Sequence, residues 1–310
     1  KRKFKDFCAE HDVDIISEYT DEDVDAQRIK FPVFVKPVDS RGSRGQTICH
    51  DYKELDQAIQ NAQNESTDGG VLIETYIDNK TSFQVTYFFI DGKPYLIRTV
   101  DGYKGTVEDN LDRVALCSVS PSRYTNEYMC NANDKFIGML KALGIENGPV
   151  MAQGFNDHGV FRFYDPGLRF PGTDFELIYE EVFGIDLIQA MIVYALTGKL
   201  PDLNIPEDSM NLNNCKGAVL FPTLNAGEIG EIEGLDEIGR DPNVIMLHTY
   251  HKVGDLIRQS NTTEQRIAEI DILAKDNLNS VIYLVQRLLD VRDTQGKCMI
   301  YKPFNVERLN

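Results

Sequence analysis

Phe31-Pro32-Val33-Phe34-Val35-Lys36-Pro37-Val38-Asp39-Ser40-Arg41-Gly42-Ser43-Arg44-Gly45 is an apolar run that ends in a lysine and opens into a segment of small and cationic residues. Val33 to Lys36 has the length and β-branched character of a buried strand, and Pro37 stops it because proline cannot donate to a ladder. Beyond it the chain is suited to phosphate. Glycines let backbone N–H groups approach anionic oxygens, Ser40 and Ser43 add hydroxyl donors, and Lys36, Arg41 and Arg44 supply positive charge. The spacing G-x-x-x-x-G-K-[ST] of a Walker phosphate loop is absent. For the loop taken alone, a Gly-Ser turn with solvated arginines is the plain alternative.

The flanks read as alternating helices and strands. Before the loop, Phe4, Phe7 and Cys8 recur at helical spacing over residues 1–11; after it, Leu55, Ala58 and Ile59 mark a helix from Tyr52 to Ala62. Asp68-Gly69-Gly70 breaks that helix ahead of a strand, Val71 to Glu74. Phe83 to Phe89 and Pro94 to Thr99 form a hairpin about Asp91-Gly92, residues that tolerate positive φ. A helix from Asn133 to Leu143 ends at Gly144 and leads to a second hairpin, Pro149 to Phe155 and Gly159 to Tyr164. Asp186 to Leu196 is helical and apolar, with Gly198 and Pro201 punctuating a domain boundary near residue 200. Beyond it, Ala218 to Phe221 and Val244 to Leu247 read as strands, and Ala274 to Val291 as one amphipathic helix.

The 310 residues leave room for two domains, and 42% apolar with 26% charged residues describes a globular protein rather than a disordered one. A net charge of −17, from 49 acidic against 32 basic residues, repels phosphate backbones and anionic lipid surfaces. Neither nucleic acid nor a membrane is expected as partner. No apolar stretch reaches the roughly 20 residues that cross a bilayer, and Lys1-Arg2-Lys3-Phe4-Lys5 lacks a signal peptide's apolar core. The six cysteines are scattered without a C-x-x-C pair, which points to a reducing cytoplasmic compartment. The histidines form no triad with Ser or Cys and read as solvated surface groups. The first residue is not Met, so the chain is expected to begin inside a longer reading frame.

The order of these features, a lysine-ended strand, a Gly-Ser loop, a helix, the strand ending Glu74-Thr75-Tyr76-Ile77 and then Gln153 and Asp165 on one hairpin, resembles the ATP-grasp superfamily of ligases through residue 200 or so. The resemblance implies an α+β fold in which two α/β subdomains clamp ATP. It divides the chain into an N-terminal helix and connector (1–30), a lid subdomain (31–76), a core subdomain with the metal hairpin (77–200) and a C-terminal mixed α/β domain (201–310). ATP binding falls to Lys1, Lys36, the loop residues Ser40, Arg41, Gly42, Ser43 and Gly45, and the hinge Glu74, Thr75 and Ile77. Lys1 stands for the second phosphate-binding lysine of a D-K-x-x-x-K segment. The segments Gly227 to Ile238, Lys252-Val253-Gly254-Asp255 and Glu264-Gln265-Arg266-Ile267 are similar to the C-terminal domain of biotin-carboxylase-like and L-amino-acid-ligase-like members. A Rossmann-like domain ahead of Lys1 is also implied.

Gln153 and Asp165 stand twelve residues apart. Facing each other across the hairpin, their oxygens would suit a hard cation such as Mg²⁺ bridging phosphates. Asp165-Pro166-Gly167-Leu168-Arg169 matches the family's E-x-N-x-R with Asp first and Arg fifth; Gly167 replaces the Asn, and Ser82 stands where a sugar-contacting Glu is expected. Taken alone, Asp165 is also a turn cap before Pro166, Gln153 an edge filler, and Arg169 half of an ion pair with Asp174 or Glu176. As a catalytic residue, Arg169 would hold a carboxylate or an acyl-phosphate oxyanion. The implied reaction is ADP-forming ligation of small-molecule carboxylate and amine substrates through an acyl phosphate, with ATP and Mg²⁺ as cofactors and a homodimer as the expected assembly. A bicarbonate-using carboxylase or carbamoyl-phosphate-synthetase-like enzyme, and a non-catalytic nucleotide-binding protein, are the other readings.

Overall fold

The computed structural model of the chain describes residues 2–39, 44–78, 81–105, 114–260 and 262–309. The chain folds into two compact units, each built from separated stretches of sequence: Lys1–Thr81, Asn126–Gly144 and Ala152–Pro166 make the first, and Ser82–Thr125, Ile145–Met151 and Gly167–Asn310 the second. The linear fourfold division expected from the sequence does not anticipate this interleaving, because strand pairing joins hairpins to partners far away in the chain.

In the first unit an antiparallel sheet runs in the order Glu18–Tyr19, Val71–Thr75, Val33–Pro37, Thr47–Cys49. Val33 and Val35 are fully buried beneath the helix Tyr52–Glu65, which lays Leu55, Ala58 and Ala62 against them at helical spacing. Asp51 starts that helix by accepting from the Glu54 N–H at 2.9 Å. A second core gathers Tyr128, Phe136, Phe161 and Phe163, with Phe136 and Phe163 rings 4.3 Å apart. The N-terminal helix Arg2–Glu10 joins it through Cys8, whose sulfur lies 3.6 Å from that of Met139.

In the second unit six antiparallel strands follow the order Val244–Thr249, Ala268–Ala274, Lys216–Leu220, Ala115–Ser120, Lys93–Lys104, Ser82–Ile90. Strand alternation divides the unit's apolar residues between two cores. Ala218, Leu220, Ile270 and Ile272 meet the helix Leu278–Leu288 on one face, while Val219, Phe221 and Ile97 meet the helix Phe175–Phe183 on the other. A small sheet of Leu256–Ile257, Gly227–Glu233 and Asp290–Asp293 completes the unit.

Both hairpins turn where expected, at Asp91-Gly92 (φ 48° and 78°) and His158-Gly159 (φ 52° and 90°). The single helix expected from Ala274 to Val291 is shorter. Ala274 ends a strand, Asn277 caps the helix by accepting from the Ser280 N–H at 3.2 Å, and Asp290 begins another strand. The strands Ala268–Ala274 and Ala115–Ser120 and the helix Phe175–Phe183 have no counterpart in the sequence reading.

Candidate functional site

The lysine-ended strand delivers Lys36 into the interior of the first unit, 4% exposed. Strand pairing sets it beside Val71–Thr75, and its Nζ lies 2.6 Å from Glu74 Oε2. Lys5, from the N-terminal helix, approaches the other oxygen of the same carboxylate at 2.5 Å. Lys5 also donates to the Ile16 carbonyl at 3.1 Å and lies 3.4 Å from Glu18. Two ammonium groups therefore bracket one carboxylate that is 1% exposed, so burial is matched by paired charge. Glu74, which the sequence places at an expected hinge, thus has its side chain taken up inside the protein. Thr75 and Tyr76 donate backbone N–H groups to the Ser17 and Pro32 carbonyls at 3.0 and 3.2 Å, and Ile77 follows, half-buried.

The same lysine reaches the hairpin. Lys36 Nζ lies 5.7 Å from the centroid of the Tyr164 ring, and the Tyr164 hydroxyl donates to Gln153 Oε1 at 3.2 Å. Burial, then the charges of Asp165 and Glu74, push the Tyr164 phenol well above its ordinary value, so it stays a donor. The chain of contacts Glu74, Lys36, Tyr164, Gln153 joins features that stand far apart in sequence. Gln153 bonds to Tyr164, the residue next to Asp165 on the facing strand of the hairpin. The donor set is a carboxylate and an amide oxygen, which suits a hard cation that takes its remaining ligands from phosphates and water. Among the described residues no group of three or more His, Cys, Asp or Glu side chains could hold a metal ion without such help.

Gly154 explains how Gln153 is held. A Cβ there would stand 2.6 Å from the Arg162 carbonyl oxygen, so only glycine allows the hairpin strands to close at that point. Gly45 has φ +65°, and a Cβ on it would meet Glu65 at 2.9 Å. Lys1, Ser40, Arg41, Gly42 and Ser43 lie outside the described residues.

In the second unit Arg169 is exposed and donates to the Phe170 carbonyl at 2.8 Å. Among the described residues it makes no ion pair with Asp174 or Glu176, which leaves its guanidinium fork open. Gly167 fits under it: a Cβ at that position would lie 3.3 Å from both Arg169 Cγ and Met151 Sδ, so the Asn of the resembled motif would press on the arginine stem.

Sequence reasoning missed Lys5, Tyr164 and a knot of acids in the second unit. Lys5 shares the buried side of its helix with Cys8, a helical spacing that an apolar pattern does not reward. Asp271 sits in Ala268-Glu269-Ile270-Asp271-Ile272, where acid and apolar residues alternate, and the structure buries both faces. Burial raises the Asp271 carboxyl to about 8 and the Glu176 carboxyl to about 7, with neighbouring acids adding to the effect and Arg98 opposing it.

No helix of the described residues is long and apolar enough to cross a membrane, and of the cysteines Cys130 and Cys298 are exposed. A family model described as carbamoyl-phosphate synthase L chain, ATP binding domain, matches residues 1–87. Human mitochondrial pyruvate carboxylase is 22% identical over 190 residues, 60% of this chain and 16% of that protein; the rat enzyme matches to the same extent. The chain thus aligns with only 16% of the length of these relatives. Among solved structures, an L-amino acid ligase from Bacillus licheniformis superposes with a TM-score of 0.73 at 19% identity, covering 95% of this chain and 72% of that one. A Campylobacter jejuni biotin carboxylase in complex with an ATP analogue gives 0.71 at 20% identity, covering 96% and 66%. The mixed α/β architecture, the buried lysine on the strand before the small-residue loop, and these superpositions together show that the chain has the ATP-grasp fold.

Proposed function

We propose that the chain is an ATP-dependent, ADP-forming ligase that activates a carboxylate as an acyl phosphate for attack by an amine. The observation that carries this reading is Lys36, a buried cation fixed by Glu74 and set over Tyr164 beside the hairpin of Gln153 and Asp165. Lys36 and the loop from Ser40 to Gly45 would bind the triphosphate, with Lys1 as the second phosphate lysine. The backbone from Glu74 to Ile77 would lie along the adenine. Gln153 and Asp165 would hold Mg²⁺, which when bound neutralises charge on the phosphate oxygens.

The chain's own groups act by position and charge. A substrate carboxylate oxygen attacks the γ-phosphorus, the bond to the β-bridging oxygen breaks, and ADP departs. Lys36 offsets charge developing on the phosphoryl oxygens without reorganising, because Glu74 already fixes it. Arg169, with its open fork, takes the carboxylate and then the oxyanion formed when the amine attacks the acyl carbonyl. Inorganic phosphate leaves and the amine gives up a proton. Exclusion of water protects the acyl phosphate. The shared fold is equally compatible with bicarbonate as the carboxyl partner, and bicarbonate-dependent ADP release would mark that reading.

The test is ADP release across pairs of carboxylates and amines, repeated with Lys36→Ala and Asp165→Ala. Release that needs both substrates and falls at least about a hundredfold in each variant is expected. Unchanged turnover in both variants would overturn the assignment.

A further inference from the structure

Four carboxyl groups, Asp174, Glu176, Glu269 and Asp271, interact electrostatically in the second unit with two guanidinium groups, Arg98 and Arg266. Among the described residues neither arginine spends its donors on a carboxylate. Arg98, 2% exposed, donates to Ser120 Oγ at 3.2 Å and Thr173 Oγ1 at 3.1 Å and stacks 4.2 Å over the Phe175 ring. Arg266 stacks 3.8 Å over Phe221 and donates to the Ala115 carbonyl at 3.4 Å. Glu269 has both oxygens engaged, by the Asp174 N–H at 3.1 Å and the Tyr250 hydroxyl at 2.5 Å. Asp271, by contrast, is 0% exposed with both oxygens unpartnered among the described residues, and Glu176 is 6% exposed with Oε1 unpartnered.

A buried acceptor without a donor costs about 1–3 kcal/mol, and more when charged, so three such atoms in one place are not a device for stability. They match the three donors of a primary ammonium group. We propose that Asp271 and Glu176 form the recognition site for the primary ammonium group of a substrate. This rests on the ligase reading and names the class of its amine-bearing substrate. Gly172 and Asp174 are exposed beside the buried acids, with Thr173 fastened to Arg98 and Asp174 to Glu269.

The experiment uses the full chain, Asp271→Asn and Glu176→Gln. Melting temperature is followed against ethylammonium chloride and, at matched ionic strength, potassium chloride, near pH 9, where an alkylammonium is still charged. A saturable rise with ethylammonium in the parent chain, absent with potassium and absent in Asp271→Asn, is expected. An equal response to potassium, or an equal rise in both variants, overturns the proposal. In the ADP-release assay the amine KM rises about tenfold or more in either variant while the ATP KM is unchanged; an unchanged amine KM also overturns it. If the parent chain releases no ADP with any pair, the ligase reading fails, and the melting series still reports separately on the cation site.

Discussion

Replacing Glu74 by glutamine keeps the shape of the side chain and removes its charge from between two buried ammonium groups. Lys36 and Lys5 approach its oxygens at 2.6 and 2.5 Å, and both lysine side chains are only 6% exposed. At an effective dielectric near 20, each contact is worth about 6 kcal/mol of gross Coulomb energy, much of it offset by the desolvation of the charges. In Glu74→Gln the lysines stay desolvated and lose their counter-charge, so the net loss falls in the range of about 3–5 kcal/mol, a large share of the stability of a typical domain. Urea unfolding at neutral pH measures it. The double variant Glu74→Gln/Lys5→Met removes one stranded cation and recovers about 1–3 kcal/mol relative to the sum of the single changes. A loss below about 1 kcal/mol in Glu74→Gln, or strictly additive single changes, would refute the picture of a carboxylate shared by two cations.

Stability falls as pH rises from about 5 to 9, because Glu176 near 7 and Asp271 near 8 keep protons in the folded chain that the unfolded chain has already released. The contribution is complete below the ordinary carboxylate values and is lost through the folded ones; Asp271→Asn flattens the slope, which urea midpoints across the pH range will show. Gly154→Ala drives a Cβ to 2.6 Å from the Arg162 carbonyl oxygen, and a loss of about 2 kcal/mol or more is expected in thermal unfolding. In a thiol-labelling assay Cys130 and Cys298 react quickly, while Cys8 and Cys49, buried with thiols raised to about 12 and about 11, react only on unfolding.

The strand Val33–Pro37 and both hairpins were legible because β-branched runs, glycine and proline act locally, whatever lies around them. Lys36 was legible for the same reason: the strand that carries it and the loop after it are contiguous. Lys5 was not, since its role depends on a carboxylate 69 positions away. The acid knot was hidden by alternation: Glu269 and Asp271 look like the wet side of an edge strand, and only the helix Phe175–Phe183 laid across them shows that side to be dry. Arg169 could be singled out only by its motif, and its open fork could be seen only once Phe170, rather than Asp174 or Glu176, proved to be its partner.

The first unit cannot be cut at the end of its family match. Residues 1–87 supply the sheet and Lys36, but the Phe163 N–H bonds to the Asp14 carbonyl, Arg162 reaches the Ile15 carbonyl at 3.0 Å, and Met139 covers Cys8. A fragment ending at Tyr87 would expose that side of the N-terminal helix to water. The segment that carries the recognisable lysine therefore matures only after some 80 further residues have been synthesised. Designs that transplant this lysine-bearing sheet must carry the distant hairpin with it.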